Sequence, residues 1–370
     1  MNILYDATPL LMRSAGVKNY HHTLLTHLLP IIQPHRVKLF PLLKQLTPND
    51  NERSNYGSLG SKLRLAGVLA SNYSGLPLWR GLTRGADIFH MTPFVRRPPE
   101  GVLLTSMVHD PTPALLPECH PETNIRYFEW FVERILPRLD AVLTPSQAVK
   151  ADLVKHFGVP AGKITAVHHG VDEDFFDASP SLIGLVRQTY GLPDNYILFV
   201  GAMEPRKNLI ALVDAYERLS PALRKRHPLV ITGAAGWKNR SIKKRLERMG
   251  AHLTGYVARP HLPALYHAAQ LFVFPSLYEG FGMPLLEAMA ARVPVVTSNV
   301  SAMPEVAGEA AVYVDPRDPD DLAGAIGRVL EQPELASALG EGGRRRARQF
   351  TWEATAAHTK AFFEKVAEGL

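Results

Sequence analysis

The sequence contains a single cysteine, Cys119, among its 370 residues. One cysteine excludes an intramolecular disulfide and a zinc site built from several cysteines, and it fits a reducing compartment. The N-terminal stretch MNILYDATPL has no basic n-region and no apolar h-region, so we expect no secretory signal. The longest apolar stretches, such as AQLFVFP, are too short to cross a bilayer. We therefore expect a cytoplasmic protein, either soluble or peripheral on the inner face of a membrane.

Aromatic residues are also scarce, at 8% of the chain, although the net charge is +6. A basic chain favours anionic partners such as nucleotides, phospholipid surfaces or nucleic acids. Proteins that bind single-stranded nucleic acids interleave basic and aromatic residues, and no such stripe occurs here, so we expect no nucleic-acid partner. A G-x-G-x-x-G motif is also absent after the first strand-like run, which argues against a dinucleotide-dependent dehydrogenase.

Apolar residues are plentiful, at 46%, and the chain is too long for one ordinary domain. Short apolar runs alternate with amphipathic segments, which predicts parallel α/β layers. The predicted strands are NILYDA, VKLFPLL, ADIFHM, VLLTSMVHD, AVLTPS and ITAVHHG, followed by ILFVGA, LVITGA, AHLTGYV, LFVFPS and PVVTSN.

This alternation pauses within residues 172–196, which predicts a junction between two domains. We therefore predict two Rossmann-like, doubly wound domains, covering 1–178 and 190–351. The last segment, about 352–370, predicts a helix with an aromatic face. On pattern alone, that helix packs either on its own domain or on the first.

The segment ILFVGAMEPRKNL places a loop directly after a predicted strand that ends at Gly201. Ligands bind at the carboxyl ends of strands in doubly wound sheets, so such loops carry the functional information. Arg206 and Lys207 lie where this loop meets a helix predicted from about Asn208. Cations at a helix N-terminus oppose its dipole unless an anion is bound. The pair is interpreted as a diphosphate clamp, with two solvated charges as the structural alternative.

The segment LFVFPSLYEGFGMPLLEAMA holds a second loop, in which Gly282 permits a close backbone approach and Pro284 fits the start of a helix. The first amides of that helix form an anion site. Two acids, Glu279 and Glu287, flank the loop, and carboxylates accept hydrogen bonds from the paired hydroxyls of a sugar. The structural alternatives are a solvated loop acid for Glu279 and helix-dipole stabilisation for Glu287, which we predict in the first helical turn.

Three further loops carry weaker signals. Tyr256 and Val257 follow a predicted strand, where a backbone edge could read a nucleobase. His109 comes directly after the predicted strand VLLTSMV, and Gly16 lies in the first strand–helix loop. In addition, residues 53–86 contain five Lys or Arg and no acid, with leucines interspersed. They predict either a solvated basic helix or a surface that contacts anionic lipid.

Taken together, these motifs resemble the retaining glycosyltransferases of family GT4. The resemblance lies in the acid pair around GFGMPLLEA, in GAMEPRKNL, in LTPSQAVKADLVKHFGVPAGKITAVHHGVD, in AGVKNY and in PEVAGEAAVYVDPRDPDDLAGAI. It implies a GT-B fold, in which two Rossmann-like domains face a central cleft. The N-terminal domain would bind the acceptor and be completed by the terminal helix, and the C-terminal domain would bind a nucleotide sugar.

The resemblance also implies roles for particular residues. Glu287 would hold the ribose hydroxyls and Glu279 the transferred sugar. Arg206 and Lys207 would hold the diphosphate, and His109 would contact the sugar or acceptor near the reacting carbon. Four backbone amides would assist the diphosphate clamp, those of Phe281, Gly282, Met283 and Leu285. Many relatives carry arginine at the position of Ala202, so Arg206 would take over that role here.

The expected reaction is a metal-independent hexosyl transfer with same-face attack and no cofactor. The PRKN motif resembles that of bacterial mannosyltransferases of surface-polysaccharide or glycolipid assembly, which favours GDP-mannose as donor. The acceptor would be a glycan or a lipid-linked saccharide. The alternatives are a UDP-sugar-dependent transferase, an epimerase or hydrolase of the same fold, and a non-catalytic sugar-binding protein. The last is disfavoured because the chain retains Lys207, Glu279 and Glu287.

Overall fold

A computed structural model describes most of the chain, namely residues 1–12, 16–41, 43, 46–47, 58–74, 84–234, 236–237 and 240–369. The chain forms two compact units. Unit 1 comprises Met1–His109, Tyr127–Gly170 and Trp352–Leu370, and unit 2 comprises Asp110–Arg126 and Val171–Thr351. Across the described residues, no helix combines the length and apolar character that a membrane span requires.

Unit 1 is built on a parallel sheet whose strand order is β2-β1-β3-β4-β5-β6. The strands are β1 (Asn2–Asp6), β2 (Arg36–Phe40), β3 (Ile88–Met91), β4 (Leu103–Met107), β5 (Ala141–Thr144) and β6 (Ile164–Ala166). Residues on both faces of the central strands are buried, as expected for a parallel sheet covered by helices on each side. Strand β2 lies on one side of β1, and strands β3 to β6 follow on the other side, so unit 1 is doubly wound.

Unit 2 holds a second parallel sheet with the strand order β12-β11-β10-β7-β8-β9. Its strands are β7 (Ile197–Val200), β8 (Leu229–Thr232), β9 (His252–Gly255), β10 (Leu271–Phe274), β11 (Val295–Ser298) and β12 (Val312–Val314). Counted within the unit, this is the Rossmann order 3-2-1-4-5-6. Its switch point lies between β7 and β10. The predicted α/β class with two doubly wound sheets is therefore confirmed.

Helices separate the strands, as the amphipathic segments predict. In chain order they are α1 (Gly16–Ile31), α2 (Ser58–Ser74), α3 (Thr112–Leu115), α4 (Glu122–Arg134), α5 (Gln147–Phe157), α6 (Pro180–Tyr190), α7 (Leu209–Arg218), α8 (Pro221–Arg226), α9 (Arg240–Arg248), α10 (Leu262–His267), α11 (Met283–Ala290), α12 (Met303–Ala307), α13 (Pro319–Glu331), α14 (Pro333–Ala347) and α15 (Trp352–Glu368).

The terminal helix α15 packs along α1 in unit 1. His35 Nε2 lies 3.0 Å from Glu364 Oε1 near one end of this pair of helices. His27 Nε2, four residues before the end of α1, lies 3.4 Å from Glu353 Oε1 at the start of α15. Phe362 and Phe363 of α15 are buried, so its aromatic face supplies part of the unit 1 core.

The structure divides the chain differently from the predicted boundaries in two places. The segment Asp110–Arg126 belongs to unit 2, where the Trp237 indole Nε1 donates to the Cys119 carbonyl at 2.7 Å. The predicted junction within residues 172–196 contains helix α6 of unit 2. Ser179 caps this helix at its N-terminus and Gly191 ends it in the left-handed conformation.

Candidate functional site

Two neighbouring strands of unit 2 bring the two main predicted loops to one edge of the sheet. Strand β7 pairs with β10 in parallel, with Ile197 opposite Leu271. Both loops therefore start at the carboxyl ends of adjacent strands, at the switch point where doubly wound sheets bind ligands. The Asn208 side chain connects the loops, because its Nδ2 donates to the Pro275 carbonyl at 3.1 Å.

The loop after β7 ends in a 3₁₀ turn over Pro205–Lys207, followed by Asn208 with φ 58°. Asparagine tolerates this left-handed conformation better than most residues, and here it separates the turn from α7. The helix begins at Leu209, one residue after the predicted start. Arg206 and Lys207 therefore lie in a fixed turn before the helix, rather than in its first turn.

Four charged side chains meet at this edge, with Arg206 at the centre. Its guanidinium donates to the Tyr278 carbonyl at 2.7 Å, to Glu279 Oε2 at 2.9 Å and to Glu204 Oε1 at 2.8 Å. Lys207 Nζ donates to Glu279 Oε1 at 2.6 Å. We call Glu204, Arg206, Lys207 and Glu279 the switch-point cluster. All four side chains are at most 12% exposed, so the structural alternative of solvated charges does not apply.

The electrostatics of the switch-point cluster keep Glu279 ionised. Burial alone would raise the pKa of this carboxyl, but Arg206 and Lys207 outweigh burial and lower it to about 2. Burial raises the pKa of Glu204 against the opposing charges of Arg206 and Lys207. The arrangement pairs two cations with two acids, so each cation is already positioned by a buried partner.

The loop after β10 leads into α11 through Gly282, whose φ of 97° favours glycine. Pro284 lies within the first turn of this helix. Of the four backbone amides predicted to assist the diphosphate clamp, that of Leu285 is used within the helix. The Leu285 N–H donates to the Gly282 carbonyl at 3.0 Å and is thus part of the helical turn. The Phe281 ring is buried and packs against Phe350 with ring centroids 5.9 Å apart.

Glu287 is the fifth residue of α11, so the prediction that it lies in the first helical turn is wrong. Its side chain is buried, and the Tyr266 hydroxyl donates to its Oε2 at 2.9 Å. Burial raises the pKa of the Glu287 carboxyl to about 7, against the opposing effects of Arg259 and Tyr266. Stabilisation of a helix dipole requires an acid in the first turn, so that structural alternative does not account for this carboxylate.

The remaining predicted residues of unit 2 lie around the same sheet edge. Gly201 follows β7. A Cβ atom added at Gly233, after β8, would lie only 2.1 Å from the Gly201 carbonyl oxygen, so the loops after β7 and β8 are in backbone contact. Tyr256 and Val257 follow the edge strand β9. The Tyr256 side chain is partly exposed, whereas Val257 is buried.

Two predicted residues, His109 and Gly16, lie in unit 1. The His109 ring packs edge-on against Tyr20 with centroids 4.9 Å apart, and its centroid lies 6.0 Å from that of His169. Gly16 is the first residue of α1. Among the described residues, and apart from the adjacent backbone, no atom lies within 4 Å of a Cβ built at Gly16, so the packing described there does not require glycine.

Several residues at the unit 2 edge were not identified from the sequence. Glu204 lies two residues before Arg206, and an acid so close to the cations could have indicated a partner for them. Tyr266 and Ser301 are far from the loop in sequence, although Tyr266 contacts Glu287 and the Ser301 Oγ accepts from the Glu279 amide at 2.9 Å. Only the tertiary fold reveals these two contacts. Within the described residues, no group of three or more His, Cys, Asp or Glu is placed to hold a metal ion.

Comparison with known proteins gives the chain its family. The model "Glycosyltransferase Family 4" matches residues 15–175, and the model "Glycosyl transferases group 1" matches residues 187–346. O-antigen chain mannosyltransferase B from Escherichia coli is 32% identical over 368 residues, which cover 95% of this chain and 97% of that protein. The chain belongs to these glycosyltransferases.

Solved structures show the same fold at lower sequence identity. Sucrose-phosphate synthase from Thermosynechococcus elongatus is 20% identical, with a TM-score of 0.76 over 100% of both chains. Anabaena HepE in complex with UDP-glucose is 20% identical, with a TM-score of 0.71 over 100% of both chains. The fold is therefore the GT-B fold that the resemblance implied.

Replacing Glu204 by glutamine is expected to lower kcat about tenfold without raising the donor KM, by loss of one charge-assisted hydrogen bond to Arg206. Removing an acid beside an anion site does not weaken ground-state binding of that anion. Steady-state kinetics measure both constants. The matched control is Glu217→Gln, which loses the surface pair with Arg245 and should change neither constant. A donor KM that rises while kcat is unchanged would contradict a positioning role for Glu204.

Proposed function

We propose that this protein transfers a hexose, most favourably mannose from GDP-mannose, to a glycan or lipid-linked saccharide acceptor. The transfer retains the anomeric configuration and needs neither a metal ion nor a cofactor. The protein works in the cytoplasm, peripherally on the inner face of the membrane. The observation that carries the proposal is the switch-point cluster, which places two buried cations at the strand edge where such folds bind ligands.

The chemistry of a nucleotide-sugar donor fits these cations. As the bond between the sugar C1 and the bridging oxygen breaks, its electron pair passes to the diphosphate, where negative charge develops. Arg206 and Lys207 stabilise that charge, and they need little reorganisation because Glu204 and Glu279 already hold them. The positive end of α11, which begins after Gly282, acts in the same direction.

Each acid is assigned to one end of the donor, Glu287 to the ribose and Glu279 to the transferred sugar. Glu287 is buried beside α10 and accepts a hydrogen bond from Tyr266, which leaves carboxylate lone pairs for the ribose hydroxyls. Glu279 lies against the cations and would accept hydroxyl groups of the transferred sugar. In same-face attack, the acceptor oxygen bonds to C1 on the side that the diphosphate leaves. The acceptor proton passes to the leaving phosphate oxygen, so no protein nucleophile is required.

Mannose is favoured because the E. coli relative matched over nearly its whole length is an O-antigen chain mannosyltransferase. A UDP-sugar donor is the second candidate, supported by the HepE complex with UDP-glucose. An epimerase or hydrolase of the same fold is the third, and it would need no saccharide acceptor.

A thermal-shift screen of nucleotide sugars tests the donor. GDP-mannose at about 100 times its Kd should stabilise the protein by about 2.7 kcal/mol, because only the folded protein binds it. UDP-glucose and UDP-N-acetylglucosamine should give smaller shifts at the same concentration. Turnover of GDP-mannose should require an added saccharide acceptor and should be unaffected by EDTA. Nucleotide release without acceptor would favour the hydrolase, and selective stabilisation by a UDP sugar would favour the second candidate.

A further inference from the structure

The loop after β3 in unit 1 carries an arginine that lies among three aromatic rings. The Arg96 guanidinium carbon is 5.6 Å from the ring centroid of Tyr73, 5.3 Å from that of Tyr127 and 5.4 Å from that of Trp130. Tyr73 belongs to α2, whereas Tyr127 and Trp130 belong to α4. We call these four residues the Arg96 platform. Tyr73 is 69% exposed and the other three are partly exposed, so the platform reaches the surface of unit 1.

Side-chain hydrogen bonds hold the backbone of this loop in place. The Asn72 side-chain amide donates to the Phe94 carbonyl at 2.8 Å, and its Oδ1 accepts from the Arg96 backbone N–H, also at 2.8 Å. The Tyr127 hydroxyl donates to the Pro93 carbonyl. The platform is therefore preorganised, and a ligand that binds to it does not have to order the loop first.

The Arg96 guanidinium keeps its hydrogen-bond donors available. A guanidinium carries five N–H donors, and no side chain or carbonyl among the described residues accepts from this one. The faces of the three rings stabilise its positive charge in place of an acid. Oxygen acceptors are what this group still lacks, and hydroxyl groups supply them without adding charge.

The exposed aromatic surface narrows the ligand further. The face of an aromatic ring carries partial negative charge, and the C–H groups on one side of a pyranose ring carry partial positive charge. Small-molecule sites generally combine such aromatic walls with a few polar groups that fix orientation. Aromatic faces beside spare N–H donors therefore fit a saccharide, which presents C–H groups and hydroxyl oxygens together.

The platform lies at the edge of the unit 1 sheet where a ligand is expected. Its loop follows Met91, the last residue of β3, and β3 pairs with β1 at the switch point of this sheet. His109, which the resemblance places near the sugar or acceptor, follows the neighbouring parallel strand β4. Both loops therefore start from the same carboxyl edge of unit 1.

We propose that the Arg96 platform binds a pyranose ring of the saccharide acceptor. The ring packs its C–H face against the exposed aromatic side chains, and its hydroxyl oxygens accept hydrogen bonds from Arg96. A neutral saccharide is favoured over a phosphate group, because the ring faces already stabilise the charge that a phosphate would otherwise neutralise. The inference rests on the proposed transfer to a saccharide, and it names the residues of unit 1 that hold this substrate.

Titration calorimetry of the full chain with an α-linked mannotetraose, without any donor, tests the platform. The wild type should bind this probe, and Tyr73→Ala and Arg96→Met should each raise its Kd at least about tenfold. Arg96→Lys keeps the charge but loses the planar fork, so it should recover only part of the affinity. Added salt should leave the Kd unchanged, because the probe is neutral.

The matched control is Arg134→Met, which removes an exposed arginine at the end of α4 in the same unit. Its affinity for mannotetraose should equal that of the wild type, and thermal unfolding should show that all variants fold. No binding by the wild type, or unchanged affinity in Tyr73→Ala and Arg96→Met, would overturn the proposal. Arg96-dependent binding of inorganic pyrophosphate that salt weakens would also overturn it, in favour of an anion site.

Separate measurements distinguish this inference from the proposed function. Stabilisation by GDP-mannose should be the same in the wild type and in both platform variants, because the candidate donor residues lie in unit 2. Transfer by the wild type together with unchanged saccharide affinity in the variants would remove the platform alone. Platform-dependent saccharide binding without transfer from any nucleotide sugar would remove the proposed transfer and leave a saccharide-binding site.

Discussion

Replacing Lys207 by alanine is expected to lower kcat about 10²–10³-fold, the loss typical when one preorganised charge-stabilising donor is removed from a transition state. Lys207 Nζ lies 2.6 Å from Glu279 and 5.0 Å from the Phe274 ring centroid, so the ammonium group is held in one place. Glu279 keeps its contact with Arg206 at 2.9 Å in the variant, which limits the structural damage. Steady-state kinetics with the donor and acceptor measure the effect.

Two further variants separate the charge of Lys207 from its geometry. Lys207→Arg keeps the charge but replaces a compact ammonium by a planar guanidinium, so it should recover only part of kcat. Lys225→Ala, on the surface of α8, removes an exposed cation from the same unit and should leave kcat unchanged. Near wild-type turnover in Lys207→Ala, in a protein that unfolds normally, would show that the cluster does not bind the diphosphate.

Much of the fold follows from the alternation of buried runs along the sequence. Each predicted strand is present. Runs such as ILFV and LFVF are apolar at every position, and all their residues are buried, as expected for central strands of a parallel sheet covered by helices on both faces. Strand β12 was not predicted, since Val312–Val314 is short and Tyr313 is only partly buried. Helix α6 was also missed, although Ser179, Pro180 and Gly191 are ordinary start and stop signals.

The candidate site was only partly predictable, for a physical reason. The positions of Arg206 and Glu279 after two strands follow from local pattern, and the pairing of β7 with β10 brings them together. Their mutual ion pairing, and the contact of Tyr266 with Glu287 across 21 residues, depend on how loops fold over the sheet edge. Local patterns carry no information about such contacts. The two alternatives for residues 53–86 both require an exposed surface, and Leu59, Leu63 and Leu69 of α2 are exposed, whereas contact with lipid stays a prediction.

The ionised Glu287 carboxylate is expected to lower the free energy of unfolding at alkaline pH, although it is the form that binds the ribose hydroxyls. Burial raises its carboxyl pKa from the ordinary 4.5 to about 7, so the folded protein holds this proton more tightly than the unfolded chain does. The stability that Glu287 contributes is therefore complete below pH 4.5 and is lost as the pH rises through about 7. At 1.36 kcal/mol for each pH unit, the buried carboxylate costs about 3 kcal/mol at pH 8.

Glu287→Gln should therefore be more stable than the wild type at pH 8, by up to about 3 kcal/mol, and equally stable near pH 4. Its donor kcat/KM at pH 8 should nevertheless fall about a hundredfold, because the neutral amide cannot accept two ribose hydroxyls as a carboxylate does. In the wild type, kcat/KM should fall about tenfold for each pH unit below about 7, and the variant should lose this dependence. Urea unfolding and pH–rate profiles measure the two effects.

The matched control for Glu287 is Glu334→Gln, because Glu334 is an exposed acid in the first turn of α14. A carboxylate that only stabilises its helix dipole contributes about 0.3–1 kcal/mol, so this variant should lose that stability and keep its kcat/KM. If Glu287→Gln behaved in the same way, losing stability at pH 8 and turning over normally, Glu287 would be a helix-stabilising acid and the ribose assignment would fail. Opposite changes in stability and turnover, by contrast, are expected only of a carboxylate kept buried and ionised for a ligand.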